Sequence, residues 1–296
     1  MVQERAPQER RVAVDGGEVC YFEWEGASRD VALFVHATGF HARVWDATIR
    51  ALPAEQRAIS IDQLGHGRST KRGPYTWERF GAALSSAIEA LDLRRIVGVG
   101  HSMGGHALVQ AAAAHLERFE RLVLVDPVIM DPAFYAHGGS VPATFRPEEH
   151  PTSKRKNDWT SWREMFERFA GRGTFGLWRR DVLEDYCRYG VLPNPDGPGF
   201  VLACPPLVEA SIYSQSSGRD ITPLFASISV PVTVLRAKRR EGPRGDVMDF
   251  AASPTWPELA SHFPRGRDVY LPELTHFIPM QDPPLVARYV MMEQAP

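Results

Sequence analysis

The stretch Ile96-Val97-Gly98-Val99-Gly100-His101-Ser102-Met103-Gly104-Gly105-His106 decides the reading of this chain. Ile96 to Val99 is a short β-branched run with the composition of a buried strand. The alanine-rich run from His106 to about Glu117 has the composition of a helix. Between them, Gly100-His101-Ser102-Met103-Gly104 leaves room only for a sharp strand-to-helix turn, a G-x-S-x-G pattern in its required context. The glycines permit close backbone approach, and the turn projects the Ser102 hydroxyl above the sheet beside a helix N-terminus, where negative charge is favoured.

Short apolar runs on either side extend the pattern. Val19 to Trp24, Val31 to Val35, Ala58 to Ile61 and Leu122 to Val125 alternate with helical stretches, which argues for an α/β fold with a mostly parallel sheet and helices on both faces. From Asp131 to about Ser217 the alternation stops. That segment reads as Pro/Gly-rich loops and two amphipathic helices with no strand-like run. Trp159, Trp162, Phe166 and Phe169 fall three or four apart, and Val182, Leu183, Tyr186 and Tyr189 form a second stripe closed by Gly190. Strand periodicity resumes at Val230 to Leu235 and Asp268 to Leu271. The expected organisation is therefore one core, 1–130 with 218–296, interrupted by a helical insertion at 131–217.

Composition excludes several classes. The 296 residues carry 34 Lys and Arg against 36 Asp and Glu, a net charge of −2, so no global basic field recruits nucleic acid. No apolar run approaches membrane-spanning length, and the N-terminus lacks the apolar core of a secretory signal, so a cytoplasmic protein is expected. Cys20, Cys187 and Cys204 are too few and too scattered for a disulfide framework or zinc cluster and read as buried free thiols. No dinucleotide fingerprint or metal cluster is visible, so neither cofactor nor metal is expected. The runs Lys154-Arg155-Lys156 and Lys238-Arg239-Arg240 read as solvated loops.

Two further stretches join the serine turn: Val35-His36-Ala37-Thr38-Gly39-Phe40 and Asp62-Gln63-Leu64-Gly65-His66-Gly67-Arg68-Ser69. With them the chain resembles the α/β-hydrolase superfamily over its whole length, the insertion matching in position and helical character only. The resemblance implies an eight-stranded sheet with a cap inserted after the sixth strand. It implies Ser102 as nucleophile, the backbone N–H groups of Thr38 and Met103 as oxyanion donors, and a structural role for the Asp62 loop. Ala37 stands where the family usually has glycine. His276, in Leu274-Thr275-His276-Phe277 after the last apolar strand, matches the family's catalytic histidine, which a serine needs to lose its proton. The usual acid position after the seventh strand is occupied here by Arg240. Some members take the acid from the end of the sixth strand, where Asp126 lies 24 residues after Ser102. Asp126 is the first choice, with Asp246, Glu241 and Asp249 left open.

The insertion is rich in aromatic residues, which suggests an apolar pocket lined by Phe40, His101, Trp159, Trp162 and Phe166. The expected partner is a small apolar substrate rather than nucleic acid or a membrane, and the cap offers a contact surface for a homodimer. The expected activity is that of a carboxylesterase-type serine hydrolase on a hydrophobic ester, thioester or lactone. A C–C bond hydrolase or cofactor-free lyase on the same scaffold, and a small-molecule receptor keeping the triad, are the alternatives.

Overall fold

A computed structural model describes residues 5–136, 146–214, 220–240 and 250–292. Eight strands form one sheet: β1 Gln8–Val14, β2 Gly17–Trp24, β3 Val31–Val35, β4 Arg57–Ile61, β5 Ile96–His101, β6 Phe119–Val125 and, after a long inserted segment, β10 Val232–Arg236 and β11 Gly266–Tyr270. Three short strands within that segment, β7 Asp158–Trp159, β8 Val191–Pro193 and β9 Phe200–Leu202, make a separate sheet. The large sheet runs β1-β2-β4-β3-β5-β6-β10-β11. Only the β1–β2 and β2–β4 pairs are antiparallel; from β4 to β11 every neighbour is parallel. The carboxyl ends of the parallel strands therefore gather at one edge, where ligands bind in such sheets.

The central strands are buried on both faces, as their near-continuous apolar sequences require. Val31, Leu33, Val35, Leu122 and Leu124 face one core, whereas Ala32, Phe34, Val123 and Val125 face the other. The helices are α1 Asp46–Arg50, α2 Trp77–Ala90, α3 Met103–Ala114, α4 Pro132–Ala136, α5 Trp162–Phe169, α6 Arg180–Tyr189, α7 Pro206–Ser214, α8 Ile278–Gln281 and α9 Pro283–Met291. Phe80, Leu84 and Ile88 of α2 and Leu108, Ala111 and Ala112 of α3 fill the first core. Ile49 of α1, Val286 and Val290 of α9, and Met165, Val182 and Leu183 of the inserted segment fill the second. Asp282 caps α9 by accepting from the Leu285 N–H at 2.9 Å.

Three expectations need correction. Residues 131–217 do contain strands, the antiparallel set β7-β9-β8; at two or three residues each, they are too short to show alternation. Trp159 accordingly sits on β7, not on a helical face with Trp162. Helix α3 starts at Met103, directly after Ser102, rather than at His106, because the glycines that disfavour a helix by composition are needed here for packing. The three cysteines are buried and free. Among the described residues, no helix is long and apolar enough to cross a membrane.

Candidate active site

Ser102 occupies the single step between β5 and α3 with φ +57° and ψ −120°, a backbone conformation that side-chain-bearing residues rarely adopt. Its neighbours explain how the turn is held. A Cβ on Gly104 would lie 2.3 Å from the Val35 carbonyl oxygen and 2.6 Å from that of His36, so only glycine lets the first turn of α3 press against the end of β3. The Ser102 carbonyl accepts from the N–H groups of Gly105 at 3.0 Å and His106 at 3.3 Å, tying the turn to the helix.

The topology brings Ser102, His276 and Asp126 together. The Ser102 Oγ is 3.1 Å from His276 Nε2, and His276 Nδ1 is 2.7 Å from Asp126 Oδ2. Asp126 follows directly on β6, wholly buried, with φ +43°. Its other oxygen, Oδ1, accepts from the Ala237 N–H at 3.0 Å, Ser253 Oγ at 2.5 Å and Thr255 Oγ1 at 3.2 Å. One oxygen thus faces the imidazole while the other is saturated, which satisfies a buried carboxylate and fixes its orientation. Glu241, Asp246 and Asp249 lie outside the described residues. Ser253 and Thr255 escape a reading of the sequence because a hydroxyl in a loop has no pattern of its own.

His276 is also held through its backbone. Its carbonyl accepts from His101 Nε2 at 2.8 Å, and its N–H donates to the Phe250 carbonyl at 3.3 Å. The Phe250 ring stacks on the imidazole with centroids 5.9 Å apart. Burial, with His276 nearby, holds His101 well below the ordinary histidine pKa, consistent with a neutral ring donating from Nε2.

The turn after β3 lies alongside. The Thr38 hydroxyl donates to Met103 Sδ at 3.2 Å, and among the described residues neither backbone N–H of this pair is spent on a hydrogen bond. Gly39, at φ +79°, donates its N–H to His66 Nε2 at 3.0 Å, and His36 Nε2 accepts from the Gln63 N–H at 3.0 Å. Both rings act as neutral acceptors here; burial pushes His36 down to about 3 and His66 well below its usual range. The Asp62 carboxylate accepts from the Ala42 N–H at 2.7 Å and the Arg68 N–H at 2.8 Å, so its loop braces the turn.

Aromatic rings border this edge, though not all of those expected. Phe40 packs against Tyr186 at 5.4 Å, Trp178 at 5.7 Å and Phe277 at 6.3 Å. His101 clamps the His276 backbone through Nε2 and its ring lies 6.2 Å from that of Phe40. Trp159 is buried against Phe169. Trp162 and Phe166 on α5 pair with Arg163 and Arg180, and among the described residues no ring contact joins them to Phe40 or His276.

One charged pair was missed. Arg155, within a run that reads as solvated, forms an ion pair with Glu209 of α7 and donates from Nη2 to the Tyr186 hydroxyl at 3.4 Å. Glu209 is buried, and its Oε1 would meet a Cβ on Gly39 at 2.5 Å. Burial pushes the Glu209 carboxyl pKa up, against the pull of Arg155. Local charge cannot reveal such a pair, because its partners stand 54 residues apart.

A parallel sheet of this order, with a left-handed serine between strand and helix, defines a class of enzyme scaffold, and sequence comparison agrees. Residues 32–289 match the model of the Alpha/beta hydrolase family, and the chain belongs to that family. It is 32% identical over 118 residues to a putative carbamate hydrolase of Caulobacter segnis, covering 38% of this chain and 43% of that protein. It is 35% identical over 97 residues to a lipase of Mycobacterium tuberculosis, covering 33% and 37%. The matches thus span about two fifths of the length of these curated relatives. Among solved structures, E-2-(acetamidomethylene)succinate hydrolase superposes with a TM-score of 0.71 at 20% identity, covering 96% of this chain and 97% of that one. The thioesterase domain from the curacin biosynthetic pathway gives 0.70 at 17% identity, covering 97% and 100%. At these identities the two structures share the fold.

Proposed function

We propose that the protein is a carboxylesterase-type serine hydrolase that cleaves an ester, thioester or lactone through an acyl-enzyme on Ser102. The observation that carries this reading is the unbroken hydrogen-bond chain from Ser102 Oγ through His276 to Asp126. In this mechanism Ser102 Oγ attacks the acyl carbonyl as its proton passes to His276 Nε2. Asp126 holds Nδ1–H and stabilises the imidazolium. Negative charge gathering on the carbonyl oxygen is met by the backbone N–H groups of Thr38 and Met103, which are spent on no hydrogen bond among the described residues. The imidazolium then gives its proton to the leaving group, and His276 next activates a water that releases the acid and restores Ser102.

The segment 131–217 serves as the cap over this site. The aromatic wall of Phe40, Trp178, Tyr186 and Phe277 favours an apolar acyl or alcohol group against it. The test is hydrolysis of a p-nitrophenyl ester series, with fluorophosphonate labelling, in the natural protein and in Ser102→Ala. Turnover and labelling that both vanish in the variant are the expected result, with activity down about 10⁴-fold or more. Labelling of the natural protein without turnover of any ester would shift the reading to a receptor or a C–C bond hydrolase.

A further inference from the structure

Among the described residues, the Arg155–Glu209 pair is a strongly polar feature set beside the aromatic rings of this site. A guanidinium offers five N–H donors. Glu209 and the Tyr186 hydroxyl each take one, and among the described residues no acceptor meets the others. The side chain is nonetheless 29% exposed, against 5% for Glu209. The partners of Arg155 lie beside the site: Tyr186 packs on Phe40, and Glu209 lies on Gly39, the residue after Thr38. Gly39, Phe40, Tyr186 and Arg155 share the lining of a cavity of about 10 Å³, close to the room one water-sized atom needs. The remaining donors are reachable from solvent, so an acceptor delivered from outside can meet them.

We propose that Arg155 is a specificity-determining residue that hydrogen-bonds an uncharged acceptor oxygen, such as a ketone or amide carbonyl, carried on the acyl group of the substrate. The proposal deepens the ester-cleaving reading and rests on it for the identity of the acyl group. Two observations favour a neutral oxygen over a carboxylate. The cavity admits a single atom rather than a bidentate group. Glu209 already balances the guanidinium, so an added anion would leave net negative charge in an enclosed place.

The experiment compares methyl pentanoate, methyl 4-oxopentanoate and monomethyl succinate, matched in length and followed by acid release. It uses the natural protein, Arg155→Lys and the double variant Arg155→Met with Glu209→Gln, which leaves no orphan carboxylate. The natural protein should favour the oxo ester over the alkyl ester about tenfold or more in kcat/KM. That ratio should fall toward one in the double variant, with Arg155→Lys between, while circular dichroism reports an intact fold. Equal rates for the oxo and alkyl esters in the natural protein would overturn the proposal, as would preference for the succinate monoester, which would make the site an anion reader. If no ester turns over, the ester-cleaving reading fails separately, and Arg155 is judged by binding of 4-oxopentanamide and pentanamide to Ser102→Ala, followed by tryptophan fluorescence. Tighter binding of the oxo amide, lost on adding the Arg155 and Glu209 changes, supports it; equal binding overturns it.

Discussion

The sheet edge that carries Ser102, Asp126 and His276 and the segment inserted between β6 and β10 are built on opposite principles. At the edge, Ser102 and Asp126 directly follow β5 and β6, Thr38 and His276 stand three and six residues past β3 and β11, and polar atoms are answered by partners at defined distances. In the inserted segment, short strands and helices are held by ring packing and by pairs such as Arg155 with Glu209 that join distant parts of the chain. The edge should therefore tolerate almost no chemical change, and the insertion a good deal.

The largest effect that sharpens this contrast beyond loss of the nucleophile is expected at Asp126. Asp126→Asn keeps shape but turns an acceptor toward a donor against His276 Nδ1, favouring the wrong tautomer; a loss of about 10³- to 10⁴-fold in kcat is expected. Ester turnover within tenfold of the natural protein would move the acid elsewhere, with Asp246 and Glu241 the next to test.

Next comes the same substitution made in both regions. Gly104→Ala forces a Cβ to within 2.3 Å of a backbone oxygen and should cost about 3 kcal/mol by denaturant titration. Gly171→Ala in the insertion meets nothing within 4 Å, and only its φ of +69° is strained, for about 1 kcal/mol. Equal losses at the two sites would remove the distinction.

This contrast also explains what the sequence made legible. Ser102 and the turns at His36 and Asp62 are readable because each lies in a short local pattern whose geometry is forced by glycines and strand ends, and His276 is readable by its place after the last apolar strand. The order of the parallel sheet follows from the same alternation. Asp126 was legible by its place on a strand end, but its partners Ser253 and Thr255 were not, since their loop enters from another part of the chain. In the insertion, periodicity found α5 and α6 yet misplaced Trp159, because a two-residue strand leaves no period. Arg155 was misread for a simpler reason: charge counts measure solvation only when the partner is water.

A third test uses pH. Burial holds His36 and His41 at about 3 in the folded protein, against about 6.5 when unfolded. Below the unfolded value the unfolded chain binds more protons, so stability is full above about 6.5 and is lost as pH falls toward 3, by about 1.4 kcal/mol per unit for each ring. Asp46, raised to about 6 by burial, works in the opposite direction, gaining stability as pH falls through its folded value, and the buried Asp62, Asp185 and Glu209 are raised too; against them His66 and His101, both held well below the ordinary value, add to the loss from His36 and His41. The melting temperature should therefore drop from pH 7 to pH 5. Because His41 donates from Nε2 to the Tyr186 carbonyl at 3.0 Å, this loss falls partly on the seam between the two regions. A melting temperature that is flat or rising toward pH 5 would contradict it.

The smallest effect is expected at Trp162, on α5 of the insertion. Trp162 is half-buried on α5, packs on the second core and carries the Arg163 guanidinium 4.5 Å from its ring. Removing the ring should cost about 1–2 kcal/mol of stability, less than a fully buried aromatic would. Because no ring contact joins Trp162 to Phe40 or His276 among the described residues, kcat/KM for a short ester should change by less than about threefold, a factor worth roughly half of one hydrogen bond. A folded Trp162→Ala protein that loses most of its turnover would break the contrast, because α5 would then have to close onto the substrate during the reaction.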